Sequence, residues 1–266
     1  MIRRLDGAAL VAPSVQERAL EDHGEALHFV ERLEAGEFDL VICMTGAGLA
    51  FLRDVVAAHT DVERLAAALR RVAIVCRGPK PVPVLRGMNV PVALVVPEPN
   101  TWKEIVDAVA ARPERRIAVQ EYGRPNLKMN GALENLGARV TPIAIYRWEL
   151  PGDLEPLRAA ARRLAAGEID VVLFTSSIQL EHLLEVAGGL NLETPVKEAL
   201  RKDVAIASVG PVMTAALEAH GLTADIVPKH PKMGALVKAA TEQAAEVIAL
   251  KRGRDPAQKL PHHLAR

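Results

Sequence analysis

Four turns in the sequence carry the side chains best able to bind a ligand. Each follows a short apolar run, and two contain hydroxyl groups: Thr45 precedes Gly46 and Ala47, and Ser176 precedes Ser177. A helical pattern follows each turn, so the free amides of a helix N-terminus would lie beside a hydroxyl, which suits the binding of carboxylates or phosphates. The alternative is that these hydroxyl residues only cap their helices. The four turns are 45–48, 77–80, 175–177 and 209–211.

Basic side chains accompany these turns. Arg77 and Lys80 stand on either side of a Gly-Pro pair, and Lys232 lies at the start of the last helical segment. Charge-assisted hydrogen bonds from such groups to a carboxylate are strong, although a solvated surface charge is the usual explanation for a basic turn residue. The binding residues predicted here are Arg77, Gly78, Lys80, Gly210, Pro211 and Lys232.

The only two tyrosines of the chain each follow a predicted strand. Tyr146 comes after the apolar run that ends at Ile145, and Tyr122 with Gly123 comes after the run that ends at Gln120. A phenol stays protonated near neutral pH, so it can donate a hydrogen bond or a proton. The alternatives are a strand-end Tyr146 that only packs and a plain turn at Tyr122.

The sequence contains no motif that supports binding of a cofactor or a metal ion. The turn Gly46–Gly48 is no dinucleotide fingerprint, because Phe51 occupies the third glycine position and no P-loop lysine follows. The eight histidines show no ligand spacing. Cys43 and Cys76 each end an apolar run, which predicts two strand thiols in a reducing compartment. We therefore expect neither a cofactor, a metal nor a disulfide.

The charge balance excludes several classes of partner. Lys plus Arg and Asp plus Glu number 33 each, so no global field attracts nucleic acid or an anionic membrane. No stretch is long enough to span a bilayer, and the apolar run 8–12 is too short for a signal peptide. We expect a cytoplasmic monomer that binds a small molecule.

An internal duplication indicates the elements that position these turns. Residues 33–41 recur as 164–172, and 72–79 recur as 204–211. Both copies alternate helix, buried strand and turn, which predicts an α/β fold with two similar, doubly wound parallel-sheet lobes. Ligands of such sheets lie at the carboxyl ends of the strands, where the four turns would meet.

The order of the copies predicts how the lobes are assembled. Residues 22–145 form a middle lobe, with further strands at 116–120 and 139–145. Because 7–13 resembles 137–142, we expect the first strand to complete an outer lobe built from both chain ends, 1–15 and 150–250. The two crossings, 14–23 and 146–153, would form a two-stranded connector, and 251–266 is predicted to be a disordered basic tail.

The chain resembles the uroporphyrinogen-III synthase family up to about Leu250. No single motif is decisive, but their order and spacing are distinctive. The resemblance is carried by 39–48 with Thr45 after the strand, 77–81, 122–133, 137–146, and Gly210, Pro211, Ala216, Leu217 and Gly221.

This resemblance implies a cofactor-free lyase that closes hydroxymethylbilane, a linear tetrapyrrole polycarboxylate, into uroporphyrinogen III through a spiro intermediate that inverts the terminal ring. Tyr146 matches the family tyrosine proposed to assist departure of the hydroxyl group, and hydroxymethylbilane synthase is the protein that would hand over the substrate. A catalytically impaired tetrapyrrole-binding or sensing module of the same fold is the alternative.

The sequence departs from the family pattern at two places. The family normally opens with a strand and a helix ahead of the segment matching 7–13, so we expect the outer lobe to lack its first strand-helix unit. Many members carry hydroxyl residues directly after the second Gly-Pro pair, where this chain has Val212 and Met213 before Thr214. That change puts side-chain hydrogen bonding at this turn in doubt.

Overall fold

A computed structural model describes residues 1–253 as two compact units. Unit 2 is the continuous segment Glu17–Glu149, whereas unit 1 combines Met1–Gln16 with the chain from Leu150 onward. The unit made from both chain ends and the alternation of strands with helices agree with the predicted α/β fold class, which is confirmed.

Unit 2 is built on a five-stranded sheet in which every neighbouring pair is parallel. Its strand order is β4-β3-β2-β5-β6, so the order reverses between β2 and β5. The strands are β1 (Gln16–Ala19), β2 (Leu40–Cys43), β3 (Ala73–Cys76), β4 (Leu94–Val95), β5 (Arg116–Gln120), β6 (Arg139–Ile143) and β7 (Tyr146–Glu149); β1 pairs with β7 in a separate two-stranded sheet. The helices are α1 (Gly24–Glu34), α2 (Gly46–His59), α3 (Val62–Leu69), α4 (Val82–Gly87), α5 (Trp102–Ala110) and α6 (Leu127–Asn135).

Both faces of this sheet are covered because successive side chains of a strand point to opposite sides. Along β2, Val41 and Cys43 pack in the cluster formed with α1 to α4, whereas Leu40 and Ile42 pack in the cluster formed with α5 and α6. All four side chains are buried. The continuous apolar run that predicted a buried parallel strand is therefore a strand covered on both faces.

Unit 1 repeats this arrangement with fewer strands. Its strands β8 (Val171–Phe174) and β9 (Ala205–Ser208) are parallel, and Ile226 adds a single bridge to Ala207. Its helices are α7 (Glu155–Ala165), α8 (Ser177–Gly189), α9 (Glu193–Lys202), α10 (Pro211–Ala219) and α11 (Met233–Lys251). One apolar cluster joins α7 to α10, and the other places α11 on the opposite face of β9.

The duplication is visible in backbone geometry. Gly36 and Gly167 both adopt left-handed φ angles, +72° and +71°, one residue beyond the C-cap positions of α1 and α7. Their amides donate to the carbonyls of Leu33 and Leu164 at 3.0 and 3.1 Å. Only glycine takes this conformation without steric cost, so the repeated Gly in the sequence marks the same helix end twice.

Two predictions about the chain ends are wrong. Residues 7–13 form no strand: a short 3-10 helix, Ile2–Leu5, precedes an irregular segment. Leu10 and Val11 are exposed there, so the apolar run covers no sheet face. The segment is held to unit 1 by His182, whose Nδ1 lies 2.5 Å from the Ser14 carbonyl oxygen.

The second wrong prediction concerns the start of the disordered tail, predicted at residue 251, which lies within the end of α11. Lys251 is the last residue of α11, and its Nζ lies 2.6 Å from Asp225 Oδ2, while Arg252 lies 3.0 Å from Asp170. These ion pairs fix the helix end to the loops around β8 and β9. The remainder of the predicted tail, 254–266, lies outside the described residues. Within 1–253, no helix is long and apolar enough to cross a membrane.

Candidate functional site

Thr45 and Gln120 meet at the carboxyl edge of the unit 2 sheet, where the strand order reverses between β2 and β5. Thr45 caps α2: its Oγ1 accepts from the Gly48 amide at 3.0 Å. The Thr45 amide donates to Gln120 Oε1 at 3.2 Å, and Gln120 is buried. Crevices at such reversal points are the usual ligand sites of parallel sheets.

Tyr146 lies against this cap. Its Oη is 3.1 Å from Thr45 Oγ1, its ring is 5.6 Å from the Phe51 ring, and only 3% of the residue is exposed. Burial raises the pKa of Tyr146 to about 12, although the hydrogen bond with Thr45 acts in the opposite direction. The phenol therefore keeps its proton throughout the physiological range.

Two glycines allow these groups to approach α2. A Cβ on Gly48 would overlap the Gln120 amide and lie 2.8 Å from the Tyr146 ring. A Cβ on Gly46 would lie 2.5 Å from the Lys80 carbonyl oxygen. Both glycines are required because side-chain atoms or backbone occupy the space beside them. The first-turn amides of Gly46 and Ala47 have no intrahelical acceptor, as at any helix start.

Arg77 follows β3 at the same edge. Its amide donates to the Cys43 carbonyl at 3.0 Å, and its guanidinium carbon lies 5.1 Å from the centre of the Tyr122 ring. Among the described residues this guanidinium makes no hydrogen bond or ion pair. Burial lowers the pKa of Arg77. Lys80, at the other end of the turn, is exposed.

Asn100 supports the turn that holds Arg77. With its amide nitrogen turned toward two carbonyls, that nitrogen lies 2.8 Å from Val96 O and 3.0 Å from Arg77 O. A Cβ on Gly78 would lie 3.2 Å from the same amide. Gly78 is thus a close-packing position in the structure.

Tyr122 and Gly123 form an aromatic corner with Trp148. The Tyr122 ring lies 5.6 Å from Trp148, and its Oη accepts from Asn126 Nδ2 at 3.1 Å. Gly123 has a φ of +75°, and a Cβ there would lie 2.6 Å from the Trp148 ring. The glycine therefore lets the indole stack beneath the turn.

Glu121, between Gln120 and Tyr122, is a buried carboxyl group. It is 6% exposed, and its Oε1 has no hydrogen-bond partner among residues 1–253. Burial raises its pKa above the ordinary value, and the charge of Glu25 adds to that effect.

In unit 1, the predicted residues form a second set of helix starts. Ser176 caps α8 and Ser177 is its first residue; Gln179 Oε1 accepts from the amides of Thr175 and Ser176 at 2.7 and 3.1 Å. This is one half of a capping box, and the spacing of Ser176 and Gln179 could have identified it from the sequence.

The Gly-Pro turn of unit 1 starts α10 at Gly210 and Pro211. A hydroxyl does bond at this turn, although Val212 and Met213 follow the pair: Thr214 Oγ1 lies 2.9 Å from Ser208 Oγ. Lys232 stands at the N-cap position of α11 on the same unit, without a side-chain capping hydrogen bond.

Within unit 2, the structure thus brings together the predicted residues that follow β2, β3 and β5 with Tyr146. Gln120, Asn100 and Trp148 were missed. Gln120 had a signal, since it is a polar residue that ends a buried apolar run. No local pattern marks the other two. Among residues 1–253, no three His, Cys, Asp or Glu side chains lie close enough to hold a metal ion.

Parallel α/β units with helices on both faces of the sheet and polar side chains after the strands define the class of two-lobed α/β proteins. Within that class, the model of the family "Uroporphyrinogen-III synthase HemD" matches residues 1–238. The chain belongs to the uroporphyrinogen-III synthase family.

Three relatives illustrate the similarity. The Bacillus subtilis uncharacterized protein YjjA is 28% identical over 89% of this chain and 84% of its own length. A Methanothermobacter thermautotrophicus protein, whose assignment as a uroporphyrinogen-III synthase is provisional, is 31% identical over 84% of this chain and 85% of its own. A crystal structure of a mutant uroporphyrinogen III synthase from Thermus thermophilus superposes with a TM-score of 0.66, covers 92% of both chains and is 24% identical, which shows the common fold.

Proposed function

We propose that this protein is a uroporphyrinogen-III synthase, a lyase that converts hydroxymethylbilane into uroporphyrinogen III. The hydroxyl group leaves as water, the terminal ring is attacked at its substituted carbon to give a spiro intermediate, and that intermediate fragments and recloses with the ring inverted. Because the uncatalysed reaction also closes a ring, the protein must mainly favour one folded conformer of the substrate. The proposal assigns no step to a cofactor.

The main support for this proposal is the Arg77 guanidinium, which lacks a counter-ion among the described residues. The half-buried guanidinium of Arg77 has no counter-ion among the described residues, which is costly, and a carboxylate ligand would offset that cost. The backbone amides of Gly46 and Ala47 lie in the first turn of α2, which follows the neighbouring strand β2, and they also suit a carboxylate ligand. A linear tetrapyrrole polycarboxylate fits both features, and Lys80 and the Tyr122–Gly123 turn would contact it at the same edge.

Tyr146 is the proposed proton donor to the leaving hydroxyl group. Its pKa of about 12 keeps the phenol protonated, and Thr45 Oγ1 can stabilise the oxygen as its proton moves to the substrate. A general acid of this kind contributes roughly 10²–10⁴-fold to a rate. Binding of the substrate in one folded conformer also contributes to the rate. Removing the Tyr146 hydroxyl should therefore slow turnover without abolishing it.

The helix starts of unit 1 are the proposed second set of carboxylate contacts. They comprise Ser176, Ser177, Gly210, Pro211 and Lys232. We also propose that the protein acts as a monomer in the cytoplasm, where its two buried thiols stay reduced, and receives its substrate from hydroxymethylbilane synthase.

Product analysis tests this proposal. The full chain is mixed with freshly made hydroxymethylbilane, and the oxidised porphyrin isomers are separated and quantified over time. We expect isomer III in excess, formed faster than the spontaneous reaction, and less of it with Arg77→Ala. Isomer I alone, at the uncatalysed rate, would contradict the enzyme and leave a tetrapyrrole-binding module as the better description.

A further inference from the structure

A polar cavity lies at the amino-terminal edge of the unit 2 sheet, opposite the edge that carries the candidate functional site. It measures about 170 Å³ and is lined by Arg32, Glu37, Phe38, Arg116, Arg139 and Thr141. Arg116 and Arg139 begin β5 and β6, whereas the candidate active site follows the carboxyl ends of the strands. The cavity is therefore separate from the proposed active site.

The sheet register places two like charges side by side here. Arg116 and Arg139 are direct partners in the parallel pair β5 and β6. Arg116 is fully engaged: its Nε lies 3.1 Å from both Asp39 carboxylate oxygens, its Nη2 contacts Asp39, and its Nη1 donates to Gly36 O at 2.8 Å. Its charge is thus matched.

Arg32 is engaged in part. Its Nε donates to Glu37 at 2.8 Å, and its guanidinium carbon lies 4.8 Å from the centre of the Phe38 ring. Its two terminal nitrogens make no hydrogen bond to another described residue. The same guanidinium holds the pKa of Glu37 below its ordinary value, so this carboxylate stays charged at neutral pH.

Arg139 is an exposed cation of the cavity that makes no direct ion pair with another described residue, although its charge helps to lower the pKa of Glu37. Within residues 1–253 its guanidinium makes no hydrogen bond or ion pair, and Thr141, two residues along the same strand face, has no side-chain hydrogen bond. Three guanidiniums therefore line the cavity with one carboxylate, that of Glu37, and Asp39 pairs with Arg116 from outside the lining. The cavity keeps one excess positive charge and free donors from Arg32, Arg139 and Thr141.

Size and donor type select the ligand. Pockets for drug-sized molecules occupy roughly 300–1,000 Å³, so a cavity of about 170 Å³ suits a small ion and excludes a tetrapyrrole. Guanidinium nitrogens and a hydroxyl are the donors that bind phosphate best, and Arg does so in bidentate geometry. We propose that this cavity is a binding site for a compact divalent oxyanion, either inorganic phosphate or the phosphate group of a small monoester, held by Arg139, Arg32 and Thr141.

Calorimetric titration of the full chain with inorganic phosphate tests the site, with chloride used to hold the ionic strength constant. We expect one saturable site. Arg139→Ala should weaken phosphate binding at least tenfold, Thr141→Val should weaken it several-fold, and Glu37→Gln should tighten it because a competing anion is removed. Methyl phosphate serves as the second probe: tighter binding assigns the cavity to an ester group, and weaker binding assigns it to the free ion.

Two control variants make the result decisive. Arg158→Ala removes another exposed arginine without a described side-chain partner and should leave phosphate binding unchanged. Arg77→Ala separates the two sheet edges and should also leave it unchanged. Phosphate binding that is lost with Arg77→Ala but kept with Arg139→Ala, or no saturable binding beyond that of chloride, would overturn the site. The proposed synthase activity does not depend on either outcome.

Discussion

Thr45 Oγ1 lies 3.1 Å from Tyr146 Oη, although the two residues are 101 positions apart in the chain. The same Oγ1 accepts from the Gly48 amide, so the Thr45 hydroxyl hydrogen is available for the phenol oxygen. One threonine thus both starts α2 and orients the proposed acid. The structure shows the capping role of Thr45 and its contact with Tyr146, whereas its contact with a ligand stays a prediction.

Replacing Tyr146 by Phe should reduce kcat at least about tenfold while KM changes less than about twofold, because the phenol acts on the leaving group. The ring and its packing on Phe51 remain, so loss of one hydrogen bond should cost about 1 kcal/mol of unfolding free energy. Initial rates of isomer III formation measure the first effect, and denaturant unfolding measures the second. Tyr122→Phe removes the other phenol hydroxyl and, because Tyr122 is a proposed substrate contact, should change KM rather than kcat; full turnover by Tyr146→Phe would remove the proposed donor.

Thr45 can be divided into its two roles by substitution. Thr45→Val keeps the shape but loses the cap, which should lower the unfolding free energy by about 1 kcal/mol and reduce kcat through Tyr146. Thr45→Ser keeps the hydroxyl and should restore both quantities nearly to the wild-type values. A Ser variant as slow as the Val variant would show that the methyl group, and not the hydroxyl, supports turnover.

Strands and helix ends that depend on local sequence patterns could be predicted from the sequence. Features that depend on contacts between distant residues could not. Buried runs such as β2 and helix ends such as Gly36 follow from periodicity and glycine geometry, so the sheet and the turn of Thr45 could be predicted. Trp148 beneath Gly123 could not, because nothing near either residue encodes their contact. The false strand at 7–13 arose because similarity to 137–142 does not supply a partner strand.

Gly48 and Gly131 give a matched pair of helix glycines. A Cβ at position 48 would overlap the Gln120 amide and approach Tyr146, whereas at position 131, inside α6, it would meet no atom within 4 Å. We expect Gly48→Ala to lower the unfolding free energy by about 1–3 kcal/mol and to reduce turnover. Gly131→Ala should raise it by about 0.5–1 kcal/mol with unchanged kinetics. Thermal and denaturant unfolding distinguish the two, and equal effects would contradict the packing at position 48.

Glu121 should make stability depend on pH. Burial, with a smaller effect from Glu25, raises its pKa above the ordinary 4.5, so the folded state holds this proton more tightly than the unfolded chain does. The resulting stabilisation is complete below about pH 4.5 and is lost as the pH rises through the folded-state pKa. Glu121→Gln fixes the neutral form, so its Tm should exceed that of the wild type at neutral pH.

Calorimetric scans between about pH 4 and pH 8 would measure this difference, which should shrink toward the acidic end. Glu134→Gln removes an exposed carboxylate of α6 and serves as the control, with a curve parallel to that of the wild type. A constant offset between Glu121→Gln and wild type across the range would mean that Glu121 ionises normally in the folded state.

The Arg77 side chain should lower the stability of the folded protein while it improves substrate binding. Its guanidinium is held near the Tyr122 ring, has no described counter-ion and loses hydration on folding, so Arg77→Met should raise Tm by a few degrees while raising KM about tenfold or more. Arg77→Lys keeps the charge but loses the planar guanidinium that lies 5.1 Å from the ring centre, and we expect it to restore KM only in part. The control Arg86→Met, at an exposed position of α4, should change neither value. An unchanged KM in Arg77→Met, measured at fixed ionic strength, would show that the half-buried cation serves the fold and not the substrate.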